Sequence, residues 1–522
     1  MSEDPAEDVR EAKRAVGDEA REDAVAAQHA HGKLTARERV DYLFDDGTFD
    51  ELGRLASPMP TTPETEGWER EDAPADGVVT GYGEIDGRPV AVAATDFTVM
   101  GGSIGHAGGR KLRRVTERAL ERGFPLVMLH DGGGHRIQEG LDAAPFARGD
   151  GGFVTMQTQL SGWTPMVSAM MGPAFAAPTN FAALSDFVPI VEGTGAMGVA
   201  GPRLVEAALG VEGTKEELGG ARFQTVETGM ADTAYEDDEA CLDAIREWLS
   251  YLPRNARRDP PGAPARDPHP GAESRLGSVI PEDPKKGYDV GTVIRGLVDE
   301  DSFFELKPRF ARNIVTGFAR LDGQSVGVVA NNPRVKAGTV DTDASDKASR
   351  FASLCDAYGL PILSLADVPG ILPGPDSERE GVARHCAKLP YQLARATVPV
   401  ANIVLRRGYG FGYVAMGSGR SIDSELTVCW PTAEVAAMGI EGAVNIAYRR
   451  EIENADDPDA KREELVDEFT DRTDAVRAAA RVGIDGVIQP EETRERVIRA
   501  FERADEDNGR EWPPKKHSID PI

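Results

Sequence analysis

The stretch Val400 to Met416, VANIVLRRGYGFGYVAM, runs from apolar, β-branched residues through a turn with three glycines into a segment that can begin a helix. The glycines are Gly408, Gly410 and Gly412. A helix that starts directly after a strand leaves backbone N–H groups without partners, and such groups can bind an oxyanion in front of them. The stretch therefore predicts chemistry performed by main-chain amides rather than by a reactive side chain.

An earlier stretch repeats this order. Pro165 to Phe181, PMVSAMMGPAFAAPTNF, also runs from apolar residues through a glycine into small residues, and Gly172 precedes Gly408 by 236 positions (172 against 408). Two further pairs of motifs have the same spacing, Asp86-Gly87 with Asp322-Gly323, and Gly123 to Gly134 with Gly359 to Gly370. Three motifs at one spacing predict two similarly folded halves. Two unrelated domains are the alternative.

Length and charge limit the class of protein. A chain of 522 residues exceeds what one core usually supports, so two domains are expected. The formal net charge is −29, and the acidic residues occur in both halves rather than in one tail, which disfavours nucleic acid or an anionic membrane as a partner. The charge fits a solvated acidic surface, and it also fits a protein adapted to concentrated salt.

The cysteines and the termini predict a soluble, cytoplasmic protein. Cys241, Cys355, Cys386 and Cys429 lack the C-x-x-C spacing of a zinc ribbon and the density of a disulfide framework, so no metal site is expected. The N-terminus is acidic and has no apolar segment typical of a signal peptide. No stretch reaches the roughly 18 unbroken apolar residues of a membrane span.

Strands and helices alternate from Gly77 onward, which is typical of βα units on a buried sheet. The pattern predicts a single helix near 136–161 and a loop over 56–75. The predicted domains are 1–255 and 281–522, joined by a Pro- and Arg-rich linker at 256–280.

Seven segments carry a family resemblance, GKLTARERVDYLFDDGTF at Gly32 to Phe49, MGGSIG at Met100 to Gly105, RIQEG at Arg136 to Gly140, KEELGGA at Lys215 to Ala221, ADVPGILPG at Ala366 to Gly374, AKLPYQLARATVP at Ala387 to Pro399, and WPTAEVAAMGIEGAV at Trp430 to Val444. With them the chain resembles the carboxyltransferase (β) subunits of biotin-dependent acyl-CoA carboxylases, the propionyl-CoA and acetyl-CoA carboxylase family. The resemblance implies an α/β fold of two crotonase-like (spiral ββα) domains related by an internal duplication. It also implies a hexamer whose active sites lie between the first half of one subunit and the second half of its neighbour.

The resemblance implies a reaction in which two oxyanions form. Carboxybiotin, brought by the biotin carboxylase and carrier subunit, loses CO₂, and the biotin ureido anion takes a proton from the carbon beside the thioester of an acyl-CoA. The resulting enolate captures the CO₂. Each oxyanion needs preorganised donors at about 2.7 to 3.1 Å. Because the base belongs to biotin, which is not attached to this chain, no catalytic His, Cys or Lys is required.

Matched residue by residue, the backbone N–H donors fall on Ala176 and Ala177 in the first, acyl-CoA half and on Phe411 and Gly412 in the second, carboxybiotin half. The substrate-binding positions implied by the same matching are Gly102, Ser103, Gly133, Gly134, His135, Gly370, Gly410, Tyr413 and Val414.

The chain departs from the family at these motifs. Ala176-Ala177-Pro178 and Gly410-Phe411-Gly412 each stand where the family usually has Gly-Gly-Ala, and Pro178 has no N–H. Gly132 to His135 replaces Ser-Gly-Gly-Ala. Val414 stands where many propionyl-type relatives have Asp, so the acyl chain length is not implied.

Weaker patterns compete with this interpretation. Gly101 to Gly105 matches the G-x-S-x-G of hydrolases, and Gly193 to Gly198 matches the G-x-G-x-x-G of dinucleotide sites, but each is a lone match. His135 and Glu139 are candidate acids or bases, although a structural role is favoured for both. Four basic residues are candidates for binding CoA phosphates or for a solvated helix face, namely Arg110, Lys111, Arg113 and Arg114.

The sequence thus favours an acyl-CoA carboxyltransferase subunit that acts on propionyl-CoA or acetyl-CoA. Two alternatives stay open. One is a decarboxylase of malonyl-type or methylmalonyl-type CoA. The other is a paralogue without turnover that serves assembly or regulation, which Pro178 and Phe411 would explain.

Overall fold

The computed structural model describes residues 4–59, 65–140, 152–419, 422, 424–470, 472–504 and 519. The chain divides into two compact units, the first formed by Met1–Asp259 with Glu511–Ile522 and the second by Pro260–Arg510. The division falls inside the predicted linker 256–280. Ile519, the described residue nearest the end of the chain, belongs to the first unit, whereas the predicted second domain extended to residue 522. Ile519 is buried there, and its N–H donates to the Ser161 hydroxyl at 3.1 Å.

The first unit is built on a mixed sheet. Its strands are β1 (Asp50–Leu52), β2 (Val78–Ile85), β3 (Arg88–Thr95), β4 (Ser103–Ile104), β5 (Leu126–His130), β6 (Gly134–His135), β7 (Met166–Met170), β8 (Pro189–Val191) and β9 (Thr233–Tyr235). Seven of them form one sheet in the order β1-β2-β3-β5-β7-β8-β9, and β4 pairs with β6. The first two pairings are antiparallel and the others parallel.

Helices cover this sheet. They are Pro5–Ala15, Glu22–Ala30, Ala36–Leu43, His106–Arg122, Ile137–Gly140, Phe153–Leu160, Ala177–Ala183, Pro202–Leu209, Lys215–Gly219 and Asp238–Tyr251. Helix His106–Arg122 ends at Gly123, which takes the left-handed conformation that a glycine C-cap allows. Its Leu112, Val115 and Ala119 pack in one core with Leu126 and Met128 of β5.

The single helix predicted near 136–161 is interrupted at Gly152, which has φ of 91°, and its described parts are Ile137–Gly140 and Phe153–Leu160. Residues 141–151 between them lie outside the described residues.

The second unit has the same plan. Its strands are β10 (Phe304–Leu306), β11 (Ile314–Leu321), β12 (Gln324–Asn331), β13 (Ile362–Val368), β14 (Val400–Tyr409), β15 (Leu426–Cys429), β16 (Glu434–Ala436) and β17 (Gly486–Val487). They form one sheet in the order β10-β11-β12-β13-β14-β15-β17, with β16 paired to β14. Its helices are Leu276–Val279, Val290–Leu297, Thr342–Tyr358, Pro375–Arg379, Val382–Cys386, Lys388–Arg395, Gly410–Ala415, Ile440–Ala447, Arg449–Glu453, Pro458–Thr470, Ala475–Ala480 and Thr493–Arg503.

The two units repeat their elements at fixed spacings. Strands β2 and β3 and helix His106–Arg122 recur 236 positions later as β11, β12 and helix Thr342–Tyr358 (106 against 342). Helix Ala36–Leu43 and β1 recur 254 positions later, as Val290–Leu297 and β10 (36 against 290). The two spacings differ by 18 residues (254 against 236), which is the extra length between β1 and β2. The predicted duplication is confirmed.

Equivalent hairpins close with Asp-Gly turns, Asp86-Gly87 in the first unit and Asp322-Gly323 in the second. All four residues have positive φ, as a type I′ turn requires. An arginine–aspartate pair holds each turn, and the aspartate accepts the N–H of the turn glycine at 2.9 Å in the first unit and 2.8 Å in the second. The pairs are Arg246 with Asp45 at 2.9 Å and Arg494 with Asp299 at 2.7 Å.

The predicted three-glycine turn after Val400 is wrong in one respect. Strand β14 runs through Gly408 to Tyr409, and helix Gly410–Ala415 begins at the next residue. Gly408 is required by packing, because a Cβ there would lie 2.7 Å from the Tyr413 ring.

Two absences hold for the described part of the chain. None of its helices combines the length and apolarity needed to cross a lipid bilayer. Its His, Cys, Asp and Glu side chains form no group of three that could hold a metal ion, and the four cysteines are buried and unbonded.

Candidate functional site

A left-handed loop is built twice, once in each unit. Met100, Gly101 and Gly102 have φ of 48°, 63° and 69°. Lys336, Ala337 and Gly338, which follow by 236 positions, have φ of 46°, 55° and 80°. A Cβ on Gly102 would lie 2.7 Å from the Cα of Gly132 and closer still to the Asp131 carbonyl oxygen, and one on Gly338 would lie 2.6 Å from the Asp367 carbonyl oxygen. Both loops therefore lie directly against the end of a buried strand, at Asp131 just after β5 and at Asp367 within the last residues of β13.

In the first unit the segment that follows Asp131 faces the start of helix Ala177–Ala183. Gly134 has φ of 79°, and a Cβ on it would lie 3.3 Å from the Phe175 carbonyl oxygen and 3.4 Å from Pro178 Cδ. We call Gly132–His135 together with Gly172–Pro178 the first cradle. The structure thus brings predicted residues Gly102, Ser103, Gly133, Gly134 and His135 to the predicted donors at Ala176 and Ala177.

The two predicted donors of the first cradle differ. The N–H of Ala176, a residue with φ of 66°, already donates to the Gly198 carbonyl at 2.9 Å. Ala177 is the first helical residue, where an N–H has no intrahelical acceptor. Pro178 follows in the first turn, where its missing N–H removes no helical hydrogen bond. Ala177 is therefore the better placed of the two N–H groups.

The second unit has the equivalent junction. A Cβ on Gly412 would lie 2.9 Å from the Cα of Gly370, and one on Gly410 would lie 2.9 Å from the Ala437 carbonyl oxygen. We call residues 368–371 together with 408–412 the second cradle. Phe411 is 53% exposed, so its ring lies largely in solvent at the edge of this cradle.

One predicted residue of the second unit, Tyr413, packs away from the second cradle. The Tyr413 ring packs against Gly408 and Gly419, and the residue lines a cavity of about 310 Å³ with Arg472 and Arg477. Burial raises the pKa of the Tyr413 hydroxyl, so it stays protonated at neutral pH. Val414 is half-buried. The structure places Tyr413 behind the cradle rather than in it.

A family model for the carboxyl transferase domain matches residues 27–519. The chain belongs to the carboxyl transferase family. Its relatives include the propionyl-CoA carboxylase carboxyltransferase subunit of Haloferax mediterranei, 44% identical over 100% of this chain and 99% of that protein. The methylmalonyl-CoA decarboxylase subunit alpha of Propionigenium modestum is 40% identical over 95% of each chain. A crystal structure of transcarboxylase 12S, described as a hexamer assembly with methylmalonyl-coenzyme A and methylmalonic acid bound, superposes with a TM-score of 0.89 at 39% identity, covering 96% of this chain and 95% of that one.

These similarities confirm three predictions: the family, the crotonase-like α/β fold, and an enzyme of carboxyl transfer.

Buried carboxylates support both cradles of this carboxyl transferase, and the sequence analysis did not single them out. Asp131 accepts hydrogen bonds from Lys33 at 2.6 Å and Arg39 at 2.8 Å. Asp367 accepts them from Arg407 at 2.7 Å and Arg406 at 3.0 Å. The sequence contained a signal for them, because Asp131 follows a buried strand, Asp367 lies near the end of one, and the two are 236 positions apart (131 against 367).

Glu139 has the contacts of a structural residue. Its fully buried carboxylate accepts from Arg136 at 2.7 Å and from the His106 N–H at 2.7 Å. Arg136 also pairs with Asp76 at 2.6 Å. His135 lies beside this group, with its ring 5.5 Å from that of His106, and partial burial and His106 lower its pKa. The neutral imidazole is then the main form at neutral pH.

Lys111 is not available to CoA phosphates. Its ammonium is buried and donates to the carbonyls of Ala75, at 3.0 Å, and Val78. Burial lowers its pKa to about 8. The other three basic residues, Arg110, Arg113 and Arg114, are exposed on the same helix.

The structure supports neither the hydrolase motif at 101–105 nor the dinucleotide-binding motif at 193–198. The Ser103 hydroxyl accepts from Arg136 at 3.3 Å, and His130 instead meets Ser168 at 3.3 Å. The glycines at 193–198 do not open a helix, since the next helix begins at Pro202.

Proposed function

We propose that this chain is the subunit that moves a carboxyl group from carboxybiotin on a carrier protein to the α-carbon of a short-chain acyl-CoA. Propionyl-CoA and acetyl-CoA are the candidate acceptors. The observation that carries the proposal is that each unit contains a cradle of the same construction. Both have the same left-handed loop and the same strand-to-helix junction. The reaction produces two oxyanions, and the chain has two such cradles.

In this proposal each cradle stabilises one oxyanion through main-chain donors. The Ala177 N–H, with Ala176 beside it, faces the thioester oxygen of the acyl-CoA, and the N–H groups of Phe411 and Gly412 face the ureido oxygen of biotin. Removing one donor of this kind typically costs on the order of 2.7 to 4 kcal/mol of transition-state stabilisation. The biotin ureido nitrogen takes the α-proton, so the protein needs only to orient the reactants and to stabilise charge.

The substrate class has support from the relatives. A protein 44% identical is named for propionyl-CoA carboxylase, and the transcarboxylase 12S crystal holds methylmalonyl-CoA, which is carboxylated propionyl-CoA. The neutral imidazole of His135, which belongs to the first cradle, can donate a hydrogen bond to the carboxylate of methylmalonyl-CoA. Of the predicted substrate-binding glycines, Gly133 and Gly370 leave open space, because a Cβ on either would meet nothing within 4 Å. Those at 102, 134 and 410 instead allow close packing within the protein.

We also propose a role for each unit, a partner protein, an oligomeric state and a cellular location. The first unit serves the acyl-CoA and the second unit serves the carboxybiotin. The partner is a biotin carboxylase and biotin carrier subunit, and six copies of the chain form the complex, as the transcarboxylase 12S structure is described to do. The net charge of −29 argues against nucleic acid and anionic membrane, and the cytoplasm is the proposed location.

A second candidate is decarboxylation. Two methylmalonyl-CoA decarboxylase alpha subunits are 40% and 41% identical to this chain over 95% and 96% of its length. Their names concern the loss of the carboxyl group that the proposed reaction adds. The third alternative, a paralogue without turnover, loses part of its motivation because Pro178 occupies a helix position that needs no N–H.

The test mixes the purified full-length chain with carboxylated biotin carrier and acetyl-CoA, propionyl-CoA or butyryl-CoA. Formation of the carboxylated CoA supports the proposal. CO₂ release from methylmalonyl-CoA in the presence of biotin carrier, with no carboxylation in the forward direction, supports the decarboxylase. Binding of CoA esters without either reaction supports the inactive paralogue.

A further inference from the structure

We propose that the buried aspartates Asp131 and Asp367 are positioning residues that hold the first and second cradles in shape. The assignment of a reaction to the cradles rests on the proposed function. The geometry of the two carboxylates does not.

Asp367 lies where the pairing of two strands changes register. Ala366 pairs with Val404, but Val368 pairs with Gly408, so β14 has extra residues opposite Asp367. The carboxylate, whose side chain is fully buried, fills this irregularity. It accepts from the Arg407 N–H at 3.2 Å and from Arg407 Nε at 2.7 Å. The strand that leads into the second cradle is therefore bonded to Asp367 by both backbone and side chain.

The same contact reaches the left-handed loop of the second unit. The Arg407 guanidinium donates to the Ala337 carbonyl at 2.9 Å. Asn331 donates to the Gly338 carbonyl at 3.0 Å and accepts the Asp367 N–H at 3.2 Å. The strand end is thus bonded directly to Asp367, and the left-handed loop is bonded to it through Arg407 and Asn331. A shift of Asp367 would move both the loop and the strand that leads into the second cradle.

Asp131 occupies the equivalent place in the first unit. A Cβ on Gly172 would lie 2.5 Å from its carboxyl carbon, so the glycine makes room for the carboxylate beside the strand that leads to Ala177. The Asp131 N–H donates to the Thr95 hydroxyl at 2.6 Å, and the next N–H, of Gly132, donates to the Pro173 carbonyl at 3.0 Å. Both sides of the first cradle meet at Asp131.

The cations that neutralise the two carboxylates come from different parts of the chain. In the second unit they are Arg406 and Arg407, within β14 itself. The positions 236 earlier are Met170 and Met171, which carry no charge. In the first unit the cations are Lys33 and Arg39, from the N-terminal segment, with Gln28 at 2.9 Å as a third donor.

The carboxylate is thus common to both units while its partners are not. This pattern points to the carboxylate as the feature that both cradles require, and to the cations of each unit as the groups that hold it in place, so removing one cation loosens the carboxylate.

The test compares Arg407→Gln with a matched control, Arg494→Gln, in the full-length protein. The Arg407 side chain is 16% exposed, and Arg406 remains to neutralise Asp367, so the variant keeps a counter-charge. Arg494 is matched in burial, at 11% exposed, and bonds Asp299 at the hairpin turn instead of a cradle. Both variants lose a buried arginine–aspartate bond in the same unit. Only one of the two bonds contacts a cradle.

Two measurements are made on each variant. The first is carboxyl transfer from methylmalonyl-CoA to free biotin, followed as kcat and KM. Because a displacement of about 1 Å can cost about 100-fold in rate, we expect Arg407→Gln to lower kcat by roughly ten- to a hundredfold while KM for methylmalonyl-CoA changes less than about twofold. Arg494→Gln should keep kcat within about twofold of wild type, and Arg407→Lys should regain part of the loss.

The second measurement is amide hydrogen exchange, which needs no turnover. Arg407→Gln should speed exchange in peptides covering 366–374 and 408–416, whereas Arg494→Gln should speed it only at 297–300 and 320–324. The corresponding pair in the first unit is Lys33→Gln against Arg246→Gln, with faster exchange at 130–136 and 172–178 expected only for Lys33→Gln.

The outcomes separate this inference from the proposed function. Unchanged exchange in both cradles, together with the same kcat for Arg407→Gln and Arg494→Gln, overturns the positioning role even if transfer is observed. A wild-type protein that transfers no carboxyl group to biotin overturns the proposed function. In that case the exchange data alone decide whether Asp131 and Asp367 hold the cradles in shape, and unchanged exchange rejects that positioning role.

Discussion

Alanine at Gly102 and alanine at the neighbouring Gly101 test whether the left-handed loop positions the first cradle. Both residues have positive φ, so either alanine costs roughly 1 to 2 kcal/mol of backbone strain. A Cβ on Gly101 meets nothing within 4 Å, and Ala337 already occupies the equivalent place in the second unit. Gly101→Ala therefore reports the backbone strain alone.

Gly102→Ala adds a collision to that strain. Its Cβ would lie closest to the Asp131 carbonyl oxygen and 2.7 Å from the Cα of Gly132, whereas ordinary contacts are 3.4 to 4 Å. Relief requires a shift of at least about 1 Å in the segment that continues to Gly134, and a displacement of about 1 Å can cost about 100-fold in rate. We expect kcat to fall by about that factor.

The assay is carboxyl transfer between methylmalonyl-CoA and free biotin, with thermal unfolding of each variant measured alongside. Gly101→Ala should lower the melting temperature and leave kcat within about twofold of wild type. Wild-type kcat in a folded Gly102→Ala protein would refute the reasoning. Equal loss of kcat in both variants would refute it too, because strain alone would then explain the effect.

Three further predictions concern pH, the second cradle and salt. Burial lowers the pKa of His130 from 6.5 to about 4, so the folded state resists protonation and stability falls as pH drops from about 6.5 to about 4, by up to about 3 kcal/mol. His130→Gln should lose this acid sensitivity in urea unfolding at pH 7 and pH 4.5, and an unchanged pH dependence contradicts it. Phe411→Gly should raise the transfer rate if the exposed ring obstructs carboxybiotin, and an equal or lower rate removes the obstruction idea. With a net charge of −29, the free energy of unfolding should decrease on dilution from about 3 M to about 0.1 M KCl, and urea curves that coincide at the two salt concentrations count against salt adaptation.

The fold was predictable because its signals are periodic and repeated. The spacing of 236 positions between Asp86 and Asp322 gave the duplication, and the same spacing separates the hairpins and the long helices in the structure. Glycine motifs located the strand-to-helix junctions, since a junction of this kind needs small residues whatever the rest of the fold. Three-dimensional neighbours far apart in sequence have no such local signal.

The details of the site depended on such neighbours. No local pattern shows that the Ala176 N–H meets the Gly198 carbonyl, or that Lys111 is buried between the carbonyls of Ala75 and Val78. The register change opposite Asp367 is likewise a property of two paired strands, not of either sequence alone.

The origin of the counter-charges has a practical consequence for dividing the chain. The second unit carries Arg406 and Arg407 within its own sheet, so a fragment of residues 260–504 retains the partners of Asp367. A fragment of the first unit that starts after residue 43 lacks Lys33 and Arg39, and it would bury the Asp131 carboxylate without compensation, at a cost of several kcal/mol. Any attempt to express the halves separately must therefore keep the leading helices with the first half.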